Sequence, residues 1–158
     1  MLFAVTAFLA WTLLGATVGS ASTSDPQTPA PLTITAQNPS GSFRIARATV
    51  ANAPTIFVMD LTRVVNPART PVSFFVYLTG WDRCDTQKYL VGNFALFPPD
   101  HGGKFLLNPS DALRRFQAEC SSSTDARLIV EMRRLNSSQP WGQVEVVVAP
   151  PSWKLDPK

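Results

Sequence analysis

Short runs of β-branched and aromatic residues, separated by Pro, Gly, Asn and Asp, make up most of the sequence after residue 43. Such runs predict strands at residues 43–50, 55–65, 72–79, 90–97, 127–135 and 143–149. In the last run Val144, Val146 and Val148 alternate with Gln143 and Glu145, and a period of two is typical of a strand with one buried face. Because helices do not alternate with these strands, the sequence predicts an all-β, antiparallel β-sandwich, immunoglobulin-like or jelly-roll-like.

Two segments depart from that pattern. The run at residues 72–78 is apolar on both faces and predicts a central strand that is covered on each side. One short helix is predicted after Asn108, because that side chain can cap a helix, Pro109 suits its first position and Asp111 suits its first turn. The apolar residues that follow are Ala112, Leu113 and Phe116.

Composition and charge exclude some classes of function. Charged residues are only 16% of the chain and there are 14 prolines, which suits short strands joined by long connections. The formal net charge is +3, and the basic residues are spread from Arg44 to Lys158 without a dense stripe. A nucleic-acid-binding protein would need such a stripe, so we expect no nucleic acid among the partners. The 158 residues match the usual size of one domain.

The amino-terminal segment predicts export or membrane attachment. Residues 1–19 contain no charged side chain and are followed by small residues up to Ser22, so residues 1–21 are predicted to be a signal peptide or a membrane anchor. No Lys or Arg precedes Arg44, which leaves cleavage and anchoring both open. We expect a secreted, periplasmic or extracellular protein that contacts a membrane only through residues 1–19, if they are uncleaved. The rest divides into a Ser/Thr/Pro-rich linker at 22–42, a β-sandwich domain at 43–150 and a tail at 151–158.

Cys84 and Cys120 are the only two cysteines in the sequence. An even number of cysteines in an exported chain predicts one structural disulfide bond. A redox or metal-binding pair is the alternative, but the sequence has no CxxC spacing and no histidine near either cysteine.

Catalytic motifs are not evident. His101 is the only histidine, and neither a metal-ligand spacing nor a nucleophile elbow accompanies it or the adjacent Asp100. We therefore expect no catalytic residue, no enzyme activity and no cofactor. Asn136 begins an Asn-Ser-Ser glycosylation acceptor, which in a source that does not glycosylate would be a polar hairpin turn. The tryptophans expected in the core or its rim, rather than in a binding platform, are Trp81, Trp141 and Trp153.

An ordered series of motifs resembles a known family. The series comprises residues 74–78 (FFVYL), residues 89–97 (YLVGNFALF), His101, residues 105–107 (FLL) with 110–115 (SDALRR), residues 128–133 (LIVEMR) and residues 144–146 (VEV). Over residues 72–149 this order resembles the β-sandwich domain that follows the copper domain in bacterial and plant tyrosinase and polyphenol oxidase proteins. The resemblance implies an accessory domain that packs over the active-site entrance of a dicopper oxidase. The family's copper domain and its histidines are absent from this sequence, so no catalytic residue can be carried over.

Two hypotheses follow for function. The first is a non-catalytic interaction module that binds a tyrosinase-like copper oxidase or another exported protein. Its candidate surface consists of Tyr89, Val91, Phe94, Phe97 and His101. The second is a small-ligand or metal-binding protein of the cell envelope, which would bring Asp100 and His101 close to a methionine, either Met59 or Met132.

Overall fold

Alternation of apolar and polar residues gives this chain its strands, and pairing between distant runs sets their order. The computed structural model describes residues 29–46, 56–81, 84–121, 125–138 and 140–154. The predicted leader at residues 1–21 lies outside them. In chain order the described elements are β1 (Leu32–Thr35), β2 (Ser40–Ala46), β3 (Ile56–Val65), β4 (Val72–Gly80), β5 (Tyr89–Ala95), β6 (Gly103–Leu107), α1 (Ser110–Glu119), β7 (Asp125–Arg134), β8 (Glu145–Val148) and β9 (Ser152–Lys154).

The strands form two antiparallel sheets that enclose one core. In the first sheet the order is β1-β8-β3-β6, with β9 also paired to β3; in the second sheet the order is β2-β7-β4-β5. β8 and β9 lie one after the other along the same edge of β3, pairing with residues 61–65 and 56–58. For the described residues, the predicted antiparallel β-sandwich with one short helix is therefore confirmed.

The core lies between the inward faces of the two sheets. Every second residue of the first part of β7, including Leu128 and Val130, is buried there. The helix closes the core through the face that carries Phe116, whose ring meets the Tyr89 ring edge-on at 6.2 Å between centroids. Each such large apolar side chain contributes about 1.5–3 kcal/mol when it is removed from water. Burial across the two sheets is thus the main stabilisation of the fold.

The sandwich extends beyond the predicted boundaries of 43–150. β1 lies inside the segment predicted to be a linker, yet it pairs with β8 and buries Ile34 completely. β9 lies inside the predicted tail and packs Trp153 against Phe57, with 4.8 Å between the ring centroids. The structure corrects both boundaries. Composition suggested a linker and a tail because each strand has few apolar residues, and only pairing with a distant strand gives those residues a place in the core.

Cys84 and Cys120 form the predicted disulfide bond, with 5.8 Å between their Cα atoms. The bond joins the β4–β5 connection to the residue that ends α1. The helix begins at Ser110, whose backbone N–H donates to Asn108 Oδ1 at 3.0 Å. The capping position is Pro109, which has no side-chain cap hydrogen bond, so the predicted Asn108 cap with Pro109 at the first helical position is corrected. The Asn108 side chain instead forms a turn just before the helix.

Antiparallel pairing places four connections at one end of the sandwich, which we name the loop end. It comprises the described residues of 36–39, 66–71, 96–102 and 135–144. Backbone hydrogen bonds link these connections to neighbouring segments of the same chain. The Met132 N–H donates to Pro39 O at 2.7 Å, and the Leu135 N–H donates to Pro71 O at 3.0 Å. The helix and the disulfide bond lie at the opposite end.

A helix with the length and hydropathy needed to span a bilayer does not occur among the described residues.

Candidate functional site

Asn66 fixes the shape of the loop end. This residue is buried, and its Nδ2 donates to Thr70 O at 2.8 Å and to Pro99 O at 3.0 Å. Its Oδ1 accepts the Thr70 backbone N–H at 2.9 Å. Because these polar atoms are paired, burying the side-chain amide leaves no costly unsatisfied group. One asparagine thus joins the β3–β4 connection to the β5–β6 connection.

An ion-pair network joins the same two connections at the surface. Arg69 has a φ of 50°, in the left-handed region that non-glycine residues seldom adopt, and its Nε donates to Asp100 Oδ2 at 2.9 Å. His101 Nδ1 lies 2.9 Å from Asp100 Oδ1. The Arg69 guanidinium, followed by His101, lowers the pKa of Asp100 to about 2. Asp100 is therefore a carboxylate at neutral pH, and it holds both neighbours.

Phe97 projects from this framework into solvent. It is 96% exposed, although it follows the buried Leu96 and precedes a cis peptide bond to Pro98. Leu135 is also exposed and continues the line of β7 past its last paired residue. By register, Phe97 and Leu135 flank Pro71 across the ends of β5, β4 and β7. An aromatic and an aliphatic side chain therefore share one exposed apolar edge.

A shallow groove of about 490 Å³ lies beside this edge. Pro71 and Trp141 contribute apolar surface to the groove, and Arg69 contributes charge. Trp141 packs against the core, and the Arg134 guanidinium lies 5.4 Å from its ring centre. The loop end thus combines an exposed aromatic ring, an apolar groove and a fixed charged network, which are features of protein-binding surfaces.

The predicted interaction surface is only partly accessible. Tyr89 and Val91 are buried, and Phe94 is half-buried in a stack with two other phenylalanines, at centroid distances of 3.9 and 5.2 Å. Phe97 and His101 are exposed. The predicted surface is therefore corrected: β5 turns most of these side chains into the core, and a partner can reach only the residues at and beyond the end of the strand.

Tyr89 has an internal role instead. Its hydroxyl donates to Glu119 Oε2 at 3.2 Å and lies 3.5 Å from Cys120 Sγ. Burial, followed by the hydrogen bond and charge of Glu119, raises the pKa of Tyr89 above its ordinary value. The tyrosine therefore supports the end of α1 beside the disulfide bond.

The residues of the metal-binding hypothesis do not meet. Met59 and Met132 are buried in the core, whereas the imidazole of His101 lies on the surface of the loop end, against Asp100. Within the described ranges, no group of three or more His, Cys, Asp or Glu side chains could hold a metal ion. The pair Asp100 and His101 is all that remains of that ligand set.

Asn136 and the tryptophans occupy exposed and rim positions. Asn136 is exposed in the turn after β7, where its Oδ1 accepts the Ser138 N–H at 3.1 Å and the Ser138 hydroxyl at 2.6 Å. A polar turn of this kind is compatible with both interpretations of the Asn-Ser-Ser motif, a glycosylation acceptor and an unmodified hairpin turn. Trp141 and Trp153 pack against the core as predicted. Trp81, at 36% exposed, belongs to a different surface.

That surface is the outer side of the second sheet. Phe75 and Tyr77 of β4 are half-buried there, although the run at residues 72–78 predicted a strand covered on each side. Cationic side chains provide the cover: the Arg133 guanidinium lies 4.4 Å from the Phe75 ring centre, and Lys88 Nζ lies 5.5 Å from the Tyr77 ring centre. We name this surface the cationic face; it comprises Arg44, Phe75, Tyr77, Trp81, Lys88, Asp125, Arg127, Glu131 and Arg133.

At one end of the cationic face two arginines cover Trp81. The Arg127 guanidinium lies 4.3 Å from the ring centre and the Arg44 guanidinium lies 5.0 Å from it. Arg44 Nε also donates to Asp125 Oδ2 at 2.9 Å. Contacts of this kind between a cation and an aromatic ring contribute about 0.5–1 kcal/mol at exposed sites.

At the other end Glu131 holds the remaining two cations. Its carboxylate accepts Lys88 Nζ at 2.6 Å and an Arg133 terminal nitrogen at 2.8 Å. Burial acts to raise the pKa of Glu131, but these two partners outweigh it, and the pKa lies below its ordinary value. The hydrogen bond to Glu131 in turn raises the pKa of Arg133.

Sequence patterns did not identify Asn66, Arg69 or Leu135 as parts of a site. Their roles depend on connections that are distant in sequence, and the one local signal was the turn-forming pair Asn66-Pro67. Comparison of the sequence with protein-family models finds no match, and comparison with curated proteins finds none either.

Proposed function

We propose that the chain is an exported, non-catalytic interaction module that binds a protein partner through the loop end. Phe97 carries the proposal, because it is 96% exposed on a connection that Asn66 and the Arg69–Asp100 pair hold in place. An aromatic ring buries a large apolar area on binding, and a connection that is already held in place loses little backbone entropy, so such residues often dominate interface energies. Leu135 and the adjacent groove would extend the contact.

The partner we propose is a copper oxidase of the tyrosinase class, or failing that another exported protein with an apolar recess. The motif order over residues 72–149 supports the oxidase, since it resembles a domain that packs over a dicopper active-site entrance. In such a complex the loop end would cover the entrance, and Phe97 would keep water and substrate out of it. The chain itself would perform no oxidation.

An inhibition assay tests this proposal. The full chain is added to a tyrosinase-class oxidase from the same source while diphenol oxidation is followed, and the wild-type chain is expected to lower the rate. Phe97→Ser is expected to weaken the apparent affinity about 30-fold, because truncating a buried aromatic anchor costs about 2 kcal/mol or more. Leu106→Ser is the matched control, since it removes another exposed apolar side chain, 66% exposed, from the opposite sheet.

Inhibition that is absent in the wild type, or weakened equally by both variants, would contradict the proposed surface and partner. Metal analysis of the purified chain runs in parallel. Stoichiometric metal without oxidase binding would support the alternative, a small-ligand or metal-binding protein of the cell envelope. The one contact that favours this alternative is His101 with Asp100 at 2.9 Å, and Arg69 already engages that carboxylate.

A further inference from the structure

The two outer faces of the sandwich differ in charge. On the first sheet Arg63 pairs with Glu145 at 3.9 Å and Lys104 pairs with Asp60 at 3.8 Å, so the ion-paired charges balance. On the cationic face the charges do not balance, because there are four basic residues and only two carboxylates. The basic residues are Arg44, Lys88, Arg127 and Arg133, and the carboxylates are Asp125 and Glu131. The described residues include eleven Lys and Arg and eight Asp and Glu, so two of the three excess positive charges lie on the cationic face.

The positive groups are also outermost on the cationic face. The side chains of Arg44, Lys88 and Arg133 are between 45% and 62% exposed, whereas those of Asp125 and Glu131 are 20% and 18% exposed. An approaching ligand would meet ammonium and guanidinium groups first. The carboxylates lie lower and act to position them.

Two cations of this face are cross-strand neighbours. Arg44 lies directly opposite Arg127 in the β2–β7 ladder, and like charges in that position destabilise a sheet. Both guanidiniums are held against Trp81. Asp125 offsets part of their repulsion through its hydrogen bond to Arg44, and a bound anion would offset more of it.

The shape of the cationic face favours a linear ligand. Arg127 and Arg133 are six residues apart on one strand, so their Cα atoms lie about 20 Å apart. Cations already cover the rings of this face, so an approaching ligand meets charged groups rather than bare aromatic surface. Ser42 and Asn93 are exposed neutral residues on the two edge strands of this sheet, and they can hydrogen-bond to hydroxyl groups.

From these observations we propose that the cationic face binds an extended acidic polysaccharide, one that carries carboxylate or sulfate groups along its chain. The guanidinium groups would bind its anionic groups in pairs of hydrogen bonds. Because aromatic rings already hold them in position, little side-chain entropy would be lost on binding. The proposal is independent of the loop end and of the proposed oxidase partner.

Heparin, which is a sulfated polysaccharide rich in uronic acid, is the probe for the test. Binding of the full chain is measured in solution at several salt concentrations. Arg44→Gln with Arg133→Gln is expected to weaken binding about tenfold or more and to lower the slope of log affinity against log salt by about two, since two ionic contacts are lost. Arg63→Gln with Lys104→Gln changes the net charge equally on the other sheet and is expected to weaken binding less than about twofold.

Arg44→Lys with Arg133→Lys keeps the charge but removes the paired hydrogen bonds, and an intermediate loss is expected. Thermal unfolding of each variant checks that the fold is retained. Equal weakening by the two Gln pairs would overturn the proposal, because binding would then depend on net charge alone. Binding of poly-glutamate or of phosphatidylserine vesicles as tight as that of heparin would also overturn it, in favour of an acidic protein or a membrane.

Discussion

Phe94 and Phe97 differ in role because of one extra residue in β5. Strict alternation from the buried Tyr89 would turn residues 93, 95 and 97 inward and residue 94 outward. The pairing of β4 with β5 shifts between Val76 and Tyr77, which leaves Val91 as a bulge. After the bulge the phase reverses, so Phe94 enters the core side and Phe97 reaches solvent. Sequence periodicity could not reveal this, because the bulge depends on pairing with a partner strand.

Asp100 provides a prediction about acid stability. Its pKa in the fold is about 2, with Arg69 as the main cause, whereas an unfolded aspartate titrates near 3.9. A lowered pKa means that the stabilisation is present above about pH 4 and is lost as the pH falls toward 2. We expect the free energy of unfolding, measured by urea titration at several pH values, to decline over this range.

Asp100→Asn and Arg69→Gln are both expected to flatten that decline. They would not abolish it, because the pKa of Glu131 is also lowered and this carboxylate acts in the same direction. A decline in the Asp100→Asn variant as steep as in the wild type would show that the Arg69–Asp100 pair does not couple to folding.

At the scale of strands and helices, local pattern predicted six strands and the one described helix, and it missed three strands. β1 and β9 have few apolar residues and sit among Ser, Thr and Pro, where composition suggests a linker. β6 is five residues long and follows Gly102, which local pattern interprets as a turn. Each of the three is a strand because of its hydrogen-bonded partner. The loop end could not be predicted for the same reason, since distant connections build it.

Gly102 and Gly103 give a matched pair for testing how β6 meets β3. A Cβ on Gly102 would overlap the backbone carbonyl oxygen of Leu61, whereas a Cβ on Gly103 would meet nothing within 4 Å. Backbone cannot move aside as cheaply as the end of a side chain. We expect Gly102→Ala to lower the free energy of unfolding by about 2 kcal/mol, measured by chemical denaturation.

Gly103→Ala is expected to change the free energy of unfolding by less than about 0.5 kcal/mol. If the two variants were equally stable, the close approach of Gly102 to β3 would not exist in solution. Loss of stability in Gly103→Ala alone would contradict the register of the β3–β6 pair.

For the whole molecule, β1 shows that the folded unit includes residues before Phe43. A chain that starts at Phe43, the boundary predicted from composition, would lack the strand that covers β8 and the fully buried Ile34. We expect such a chain to be at least about 3 kcal/mol less stable than one that starts at Pro29, because removing a buried isoleucine alone costs about 2–5 kcal/mol. Thermal and urea unfolding of the two chains measures the difference, and equal stability would show that β1 is dispensable.

The two proposed binding surfaces meet at the end of β7. Arg133 belongs to the cationic face and Leu135 belongs to the loop end, and two residues of extended chain span only about 7 Å. Any sizeable occupant of one surface would therefore touch or crowd the occupant of the other. Such coupling is reciprocal by thermodynamic necessity: whatever factor a bound protein imposes on polysaccharide affinity, the polysaccharide imposes on the protein. If the two ligands exclude each other, binding of either one releases the domain from the other.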